Sequence, residues 1–172
     1  EKKTVLISVI SCIFIVMNIF YFTNIIPPVP LSLRDSGVYH SLNRNSQGNY
    51  EVKVEEKQWY DYLIPGQTIH INENDEIYVY TAIFAPNNLT TQIVHHWHYY
   101  DEEQEQWVSA DKLPFVIEGG REDGFRGFSV KSNIWSGSWR VDVETQRGQV
   151  VGKVEFDIEK GKKNVKLIDR IK

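Results

Sequence analysis

The strongest pattern in the chain is an unbroken apolar run near the N-terminus. No residue from Thr4 to Phe22 is charged, and most of them are Val, Ile, Leu, Phe or Met. About 20 such residues, rising 1.5 Å each in a helix, match a hydrocarbon core of roughly 30 Å. The run is too long for a signal peptide, and no small-x-small cleavage pattern follows it. It therefore predicts one transmembrane helix within residues 1–26.

One face of this helix carries residues at spacings of 3, 4 and 3, three of them polar. They are Ser8, Ser11, Ile15 and Asn18, with Cys12 beside them. In lipid, small and hydrogen-bonding residues drive helix association, and Asn18 is costly to leave facing lipid tails. The alternative is that the serines simply bond their own helix backbone. We expect this face to pack against other transmembrane helices. We also expect the natural chain to extend upstream, since the sequence begins with Glu1 and not with methionine.

Three prolines, Pro27, Pro28 and Pro30, follow the apolar run. Proline lacks an amide hydrogen and pushes the residue before it into extended geometry. The helix is therefore expected to end here, and residues 27–34 are expected to form a stiff strap that holds the next domain close to the bilayer.

The charges that flank the helix predict its orientation. Lys2 and Lys3 before the run outweigh Arg34 after it. Because cytoplasmic flanks carry the excess of Lys and Arg, the N-terminus is expected inside the cell and the rest of the chain outside it.

From residue 37 onward, β-branched and aromatic residues alternate with polar ones, and turn residues interrupt the alternation. A period of two predicts strands, and no segment has a sustained helical period. The candidate strands are Gly37–Leu42, Tyr50–Glu55, Thr68–Asn72, Glu76–Phe84, Gln92–Tyr100, Trp107–Ala110, Phe115–Glu118, Phe125–Lys131, Ser138–Thr145 and Gln149–Ile158. The pattern predicts an all-β domain, an immunoglobulin-like antiparallel β-sandwich, over residues 35–158.

The last two candidate strands give the clearest pair. Trp139, Val141 and Val143 alternate with polar residues, and the next strand alternates in the same way after a turn that ends at Gly148. This predicts an antiparallel hairpin with one wet face and with Gly148 in the left-handed position of the turn.

Composition narrows the class of protein. Aromatic residues make up 13% of the 172 residues, which excludes a disordered chain because so many rings need burial or a ligand. The single cysteine lies in the apolar run, which excludes a disulfide scaffold.

The net charge of −4 is unevenly distributed. Residues 1–34 carry +2, residues 35–158 carry 10 basic and 20 acidic residues, and residues 159–172 carry +4. An acidic body repels phosphate backbones, so no nucleic-acid partner is expected. The basic tail, residues 159–172, suits either anionic lipid or, by the favoured interpretation, a solvated or frayed terminus.

Four stretches, in this order and spacing, resemble a known family. They are Thr23 to Leu33 at the membrane exit, His96-Trp97-His98-Tyr99-Tyr100, Gly124 to Lys131, and Gly137 to Thr145 followed by Gly148 to Gly152. Together they resemble the bacterial family called domain of unknown function 2914. The resemblance implies the soluble C-terminal part of a polytopic protein of the bacterial inner membrane. It implies no catalytic residues.

The most suggestive cluster for chemistry is the run of histidines in the fifth candidate strand. Alternation places Ile93, His95, Trp97 and Tyr99 on one face, and Val94, His96, His98 and Tyr100 on the other. His96 and His98 are weak candidates for a metal site completed by a carboxylate of the turn 101–105. A structural role, as a polar ladder or a satisfied histidine near the core, is the favoured alternative, and ligand contact is the third.

Aromatic residues supply the second argument for a ligand. Tyr78 and Tyr80 share a strand face, and exposed rings stack on sugars or on peptide side chains. Trp97 and Trp139 are expected in the core, and the other three tryptophans nearer the surface. The candidate ligand-binding residues are Trp59, Tyr78, Tyr80, His96, His98, Tyr100, Trp107, Arg126 and Trp135.

The remaining motifs are weaker. The acidic turn Asp101 to Glu105 suits calcium or, more simply, a solvated hairpin tip. No serine-elbow or zinc-protease motif is present, so no enzyme and no cofactor are expected. The sequence favours a non-enzymatic, membrane-tethered sandwich that binds an envelope saccharide or peptide. A structural or assembly module is the alternative, and a histidine-based metal site is a minor one.

Overall fold

The computed structural model describes six parts of the chain. They are residues 2–23, 31–56, 66–85, 90–118, 125–161 and 165–172. One helix, α1 (Lys2–Phe22), is followed by eleven strands in the described residues. These are β1 (Ser32–Tyr39), β2 (Ser41–Arg44), β3 (Tyr50–Glu55), β4 (Thr68–Ile71), β5 (Ile77–Phe84), β6 (Thr90–Asp101), β7 (Gln106–Glu118), β8 (Phe125–Lys131), β9 (Gly137–Thr145), β10 (Val150–Lys160) and β11 (Leu167–Ile171).

Helix α1 is predominantly apolar after the two lysines at its start, with a few uncharged polar residues. None of its residues is buried, and its length and composition suit a membrane span or a signal sequence near the N-terminus. The Asn18 amide donates a hydrogen bond of 2.7 Å to the Phe14 carbonyl. This bond to the helix's own backbone lowers the cost of placing Asn18 in an apolar medium.

Two sheets form a sandwich. One has the order β1-β5-β8, and the other has the order β4-β10-β9-β6-β7. Neighbouring strands are antiparallel except β4 and β10, which run parallel. The chain passes between the two sheets from β4 to β5, from β5 to β6, from β7 to β8 and from β8 to β9, so the expected immunoglobulin-like β-sandwich is confirmed.

The space between the two sheets holds the main core. Trp97 and Trp139 are fully buried there, as expected, and their ring centroids lie 6.4 Å apart in an edge-to-face contact. Aliphatic side chains such as Val79 and Val141 fill the space around them. Burial of each large side chain contributes about 2 kcal/mol, so this layer provides the main driving force for folding.

A third sheet, β11-β3-β2, lies against the outer face of β1-β5-β8. Its inner residues, Leu42, Tyr50 and Val52, form a second core with Tyr39 and Tyr80 of that face. The strand pattern of the sequence indicated two layers only, because the third sheet joins the short neighbouring strands β2 and β3 to β11, which lies far away along the chain.

The basic tail is not a frayed terminus in its described part. Leu167–Ile171 pairs antiparallel with β3, and Lys172 exchanges backbone hydrogen bonds of 2.8 and 2.9 Å with Tyr50. The Lys172 ammonium also lies 2.7 Å from Asp35. The tail is therefore not frayed in this part, because its backbone adds a strand to β3, while four of the five residues of β11 remain exposed to solvent.

Three strand boundaries differ from expectation. The body begins before residue 35, because Ser32–Tyr39 is a strand and Leu33 packs against the core. The first candidate strand is two strands, separated at His40. The sixth and seventh candidates are one strand, Gln106–Glu118, since the residues between them also pair with β6. The prolines of the expected strap lie outside the described residues.

The final hairpin is confirmed. Strands β9 and β10 pair antiparallel from Glu144 opposite Val150 to Gly137 opposite Ile158. Gly148 closes the turn with φ of 79°, a left-handed conformation that glycine adopts without strain.

Candidate ligand-binding face

The outer face of the five-stranded sheet brings together four of the residues singled out in the sequence. Strand β6 lies between β9 and β7, and its inward residues are Ile93, His95, Trp97 and Tyr99, as expected. Its other face carries His96, His98 and Tyr100, and Trp107 lies opposite Tyr100 on β7. On the other side of β6, Arg140 lies opposite His98 and Asp142 opposite His96.

Both ring nitrogens of His96 have partners. Nδ1 lies 3.0 Å from a carboxylate oxygen of Glu144, and Nε2 lies 2.7 Å from the hydroxyl of Ser109. The ring also contacts the ring of His98, with the centroids 3.9 Å apart and the ring planes tilted by 42°. These contacts hold the His96 ring in place, and His96 in turn supports His98.

The centre of the face has polar atoms without hydrogen-bond partners among the described residues. They are His98 Nδ1, Arg140 Nε and Asp142 Oδ1. Arg140 Nε lies 3.0 Å from Asp142 Oδ1, but the geometry is that of an ion pair without an aligned hydrogen bond. His98 Nδ1 lies 3.9 Å from the other carboxylate oxygen, too far for a direct bond. We call His96, His98, Arg140, Asp142 and Glu144 the Asp142 patch.

The patch is well packed although it lies on an outer face. Asp142 is 6% exposed and His98 is 8% exposed. Burial lowers the pKa of His98, and the neighbouring His96 lowers it further, against the opposing effect of Asp142. His98 is therefore neutral at neutral pH, with one nitrogen able to donate and the other able to accept a hydrogen bond.

Two aromatic rings flank the patch. The Arg140 guanidinium carbon lies 4.6 Å from the centre of the Trp107 ring, a cation–π contact that holds the ring in place. The Tyr100 ring meets Trp107 edge-on at 5.3 Å and is 36% exposed. Donors, acceptors and ring surface therefore lie within one small area.

The arrangement does not favour a metal at His96 and His98. Both nitrogens of His96 are engaged, and the Arg140 cation already lies beside Asp142. In the part of the chain that the structure describes, no three His, Cys, Asp or Glu side chains are grouped to hold a metal ion. In the turn 101–105, the Asp101 carboxylate accepts backbone N–H bonds from Glu103 and Gln104, which makes it a capped hairpin tip.

Four other candidates lie apart from the patch. Tyr80 is 2% exposed in the second core, so an exposed platform there is wrong; the third sheet covers it. Tyr78 packs beside the same core. Arg126 lies on β8 and donates to the Lys172 carbonyl at 3.4 Å, holding the C-terminus.

Trp135 is 42% exposed, as expected, and packs edge-on against Tyr99 and Trp139 at the end of the sandwich. Trp59 lies outside the described residues.

A buried polar network joins the two sheets of the sandwich. His95 is fully buried, and its two nitrogens lie 2.8 Å from the hydroxyls of Thr81 and Ser129. The Trp97 indole N–H donates to the same Ser129 oxygen at 3.0 Å. Burial lowers the pKa of His95 to about 4, so it is neutral in the folded protein. In the sequence, the alternation of the strand placed His95 on the same face as Trp97, which indicated this structural role.

A second cluster has no signal in the sequence. The Glu55 carboxylate lies 2.9 Å from His40 Nε2 and 2.9 Å from His70 Nδ1, and accepts the His70 backbone N–H at 2.6 Å. Burial raises the pKa of Glu55, but these hydrogen bonds more than offset it and lower the pKa to about 2. The cluster ties β3 of the third sheet to β4 of the sandwich.

Comparisons with known proteins give one family and several distant folds. The model of a family described as "Protein of unknown function (DUF2914)" matches residues 90–158, which span β6 to β10. No curated protein matches the chain.

Among solved structures, the chain is similar to a β-glucosidase from Listeria innocua in complex with isofagomine, at 11% identity and a TM-score of 0.43. The match covers 78% of this chain and 16% of the glucosidase. It is also similar to an immunoglobulin-like protein from Pseudomonas aeruginosa, at 12% identity and a TM-score of 0.37, covering 75% of this chain and 96% of that one. At these values neither likeness bears on function.

Proposed function

Residues 90–158 belong to the DUF2914 family of proteins of unknown function, and from that premise we propose that this chain is a non-enzymatic, membrane-tethered receptor module of the bacterial envelope. In this proposal the Asp142 patch, with Trp107 and Tyr100, binds a saccharide. The soluble body lies outside the inner membrane, and α1 anchors it.

The observation that carries the proposal is the set of unpartnered polar atoms at the centre of the patch. A buried polar atom without a hydrogen bond costs about 1 to 3 kcal/mol. His98 Nδ1 has no such bond among the described residues, and Arg140 Nε and Asp142 Oδ1 contact each other only as an ion pair, so a ligand that supplies these hydrogen bonds is stabilised by them. The carboxylate of Asp142 accepts hydrogen bonds, Arg140 Nε donates them, and neutral His98 does either.

A saccharide fits this chemistry. Each sugar hydroxyl both donates and accepts, which suits a mixed set of donors and acceptors. The apolar face of a pyranose ring packs on an aromatic side chain, and Trp107 and Tyr100 lie beside the polar centre. An extended peptide would use backbone pairing with a sheet edge, whereas these groups lie on a sheet face.

The test is a binding titration of the full chain with defined oligosaccharide fragments of bacterial envelope polymers, followed by calorimetry. Asp142→Asn and Trp107→Ala are expected to weaken binding at least tenfold, corresponding to about 1.4 kcal/mol. Trp135→Ala is the matched control, since it removes a different exposed tryptophan and is expected to leave affinity unchanged. No binding across the fragments, or equal loss in all three variants, contradicts the proposal.

An assembly module is the second candidate, and the edge of the larger sheet favours it. Strand β7 has 13 residues and pairs only with β6 in the described residues. An exposed edge is a surface on which another chain adds a strand. Removal of residues 34–172 separates the candidates: loss of assembly of the remaining membrane region supports the module, and intact assembly contradicts it.

A further inference from the structure

The chain enters the sandwich at one end, and the contacts there identify the neighbouring surface. Ser32 pairs with Phe84, the last residue of β5. Leu33 packs so closely on the start of β10 that a Cβ on Gly152 would lie 2.5 Å from its Cδ2 atom. The entry point, the end of β5 and the β9–β10 turn therefore form one end of the body.

The length of the connection limits how far this end lies from the helix. Thr23 and Leu31 are eight Cα–Cα steps apart, which span at most about 29 Å. The strands then lead away from the entry point. The 12 residues of β6 extend over roughly 36 Å towards the turn at the opposite end.

Three exposed residues at this end form what we call the entry rim: Phe84, Arg147 and Val150. Phe84 is 42% exposed and Val150 is 44% exposed. Arg147 is exposed at the tip of a turn that is held by backbone bonds, among them Gln146 N–H to the Gln92 carbonyl at 3.1 Å. Aromatic, apolar and basic side chains of this kind suit the interface between lipid and water.

The charge around the rim favours an anionic surface. Among the side chains that the structure describes, the two acidic residues nearest to the rim in strand register are Asp35 and Glu144. Asp35 lies 2.7 Å from the Lys172 ammonium, and Glu144 lies 3.0 Å from His96. The Lys172 ammonium balances Asp35, and the Glu144 side chain is only 13% exposed beside His96. The exposed Arg147 side chain is therefore the charge that the rim presents to its surroundings, and it attracts lipid phosphate groups.

We propose that the entry rim rests on anionic phospholipid head groups at the bilayer surface, an inference that depends on α1 being the membrane anchor of the proposed function. This contact sets the tilt of the sandwich. It turns the far end, with Tyr100, Trp107 and His98, away from the lipid and towards ligands.

The test uses the full chain with Cys12→Ala and one fluorescent probe, in vesicles of phosphatidylcholine and phosphatidylglycerol. Probes are attached at Gln146→Cys in the rim, at Glu103→Cys at the far end, and at Ile10→Cys in the helix. A quencher is placed on lipid head groups or on acyl chains. We expect head-group quenching at 146, none at 103, and acyl-chain quenching at 10.

Charge reversal tests the role of Arg147. Arg147→Glu is expected to abolish head-group quenching at 146, whereas Lys160→Glu, the same change at the far end of β10, is expected to preserve it. Vesicles of phosphatidylcholine alone are expected to reduce the quenching.

The outcomes distinguish the two proposals. Without acyl-chain quenching at 10, the anchor itself fails, and the proposed location fails with it. Quenching at 10 without head-group quenching at 146 leaves the anchor intact and overturns the docking of the rim. Rim quenching that is insensitive to Arg147→Glu and to lipid charge overturns the anionic contact.

Discussion

At the scale of the residue, His95 shows how a polar group is accommodated in this core. It is the only histidine that the described residues bury completely, and each of its nitrogens has a hydroxyl partner on the opposite sheet. Such a network fixes the register of the two sheets because every member depends on the others.

Replacement of His95 by leucine is expected to lower the free energy of unfolding by about 2 to 4 kcal/mol, because the Thr81 and Ser129 hydroxyls lose a buried partner. Urea unfolding followed by tryptophan fluorescence measures the change. Lys153→Ala, an exposed site, is the control and is expected to stay within about 0.5 kcal/mol. A loss as small as that of the control would show that the network is not stabilising.

The lowered pKa of His95 makes stability depend on pH. Its pKa is about 4 in the folded protein and 6.5 in the reference state. As the pH falls, the unfolded chain therefore binds a proton at His95 before the folded protein does. The contribution of His95 to stability is complete above pH 6.5 and is lost as the pH falls to 4, by about 3 kcal/mol.

Glu55 gives a second pH dependence. Its pKa is about 2 in the folded protein and 4.5 in the reference state, so its contribution to stability is lost between pH 4.5 and 2.

Unfolding measured across this range with His95→Gln isolates the effect. The variant is expected to have a shallower slope between pH 6.5 and 4 than the wild type, because His98, whose pKa is also lowered by burial, keeps its own contribution. It is expected to keep the slope below pH 4.5. Identical slopes in the two proteins above pH 4.5 would contradict the assignment to His95.

At the scale of the element, the sequence predicts those features of the strands that depend on the local pattern of residues. Alternation predicts β6, β9 and β10 and the face on which each residue lies, because one side of each strand is buried. It does not predict the third sheet, since the pairing of β3 with β11 joins residues about 115 positions apart and no local pattern encodes it. The sequence predicts part of the Asp142 patch, because His96 and His98 stand out as a histidine pair on one strand face. It does not single out Arg140 and Asp142, whose pattern is that of an ordinary solvent-exposed strand face.

Removal of residues 165–172 is expected to loosen the third sheet and leave the sandwich folded. Strand β11 supplies the edge pairing of β3, and its loss leaves the backbone groups of β3 on that edge without their strand partners. Hydrogen exchange is expected to speed up in β2 and β3 while β6, β9 and β10 stay protected. Ile171→Ala, at a 71% exposed site, is the control. Unchanged exchange in β3 would show that β11 is dispensable.

At the scale of the whole molecule, three layers have separate tasks. The inner sandwich supplies stability, and the third sheet covers the tyrosine face. The outer face of the larger sheet carries buried polar atoms that have no hydrogen bond among the described residues. The connection to α1 enters at the end of the body opposite Tyr100 and Trp107. The molecule therefore combines an anchor at one end with a candidate binding face towards the other.

The measurement that tests this account most directly is a two-dimensional NMR titration of the tryptophan indole N–H signals with envelope oligosaccharides. The chain has five tryptophans, in distinct surroundings, so the indole signals report separately on the patch, the core and the sandwich end. The account predicts a saturable shift of the Trp107 signal, little change at buried Trp97, and loss of the shift in Asp142→Asn. Saturable binding that moves Trp135 or Trp59 and leaves Trp107 unchanged, or no shift at any tryptophan, would contradict it.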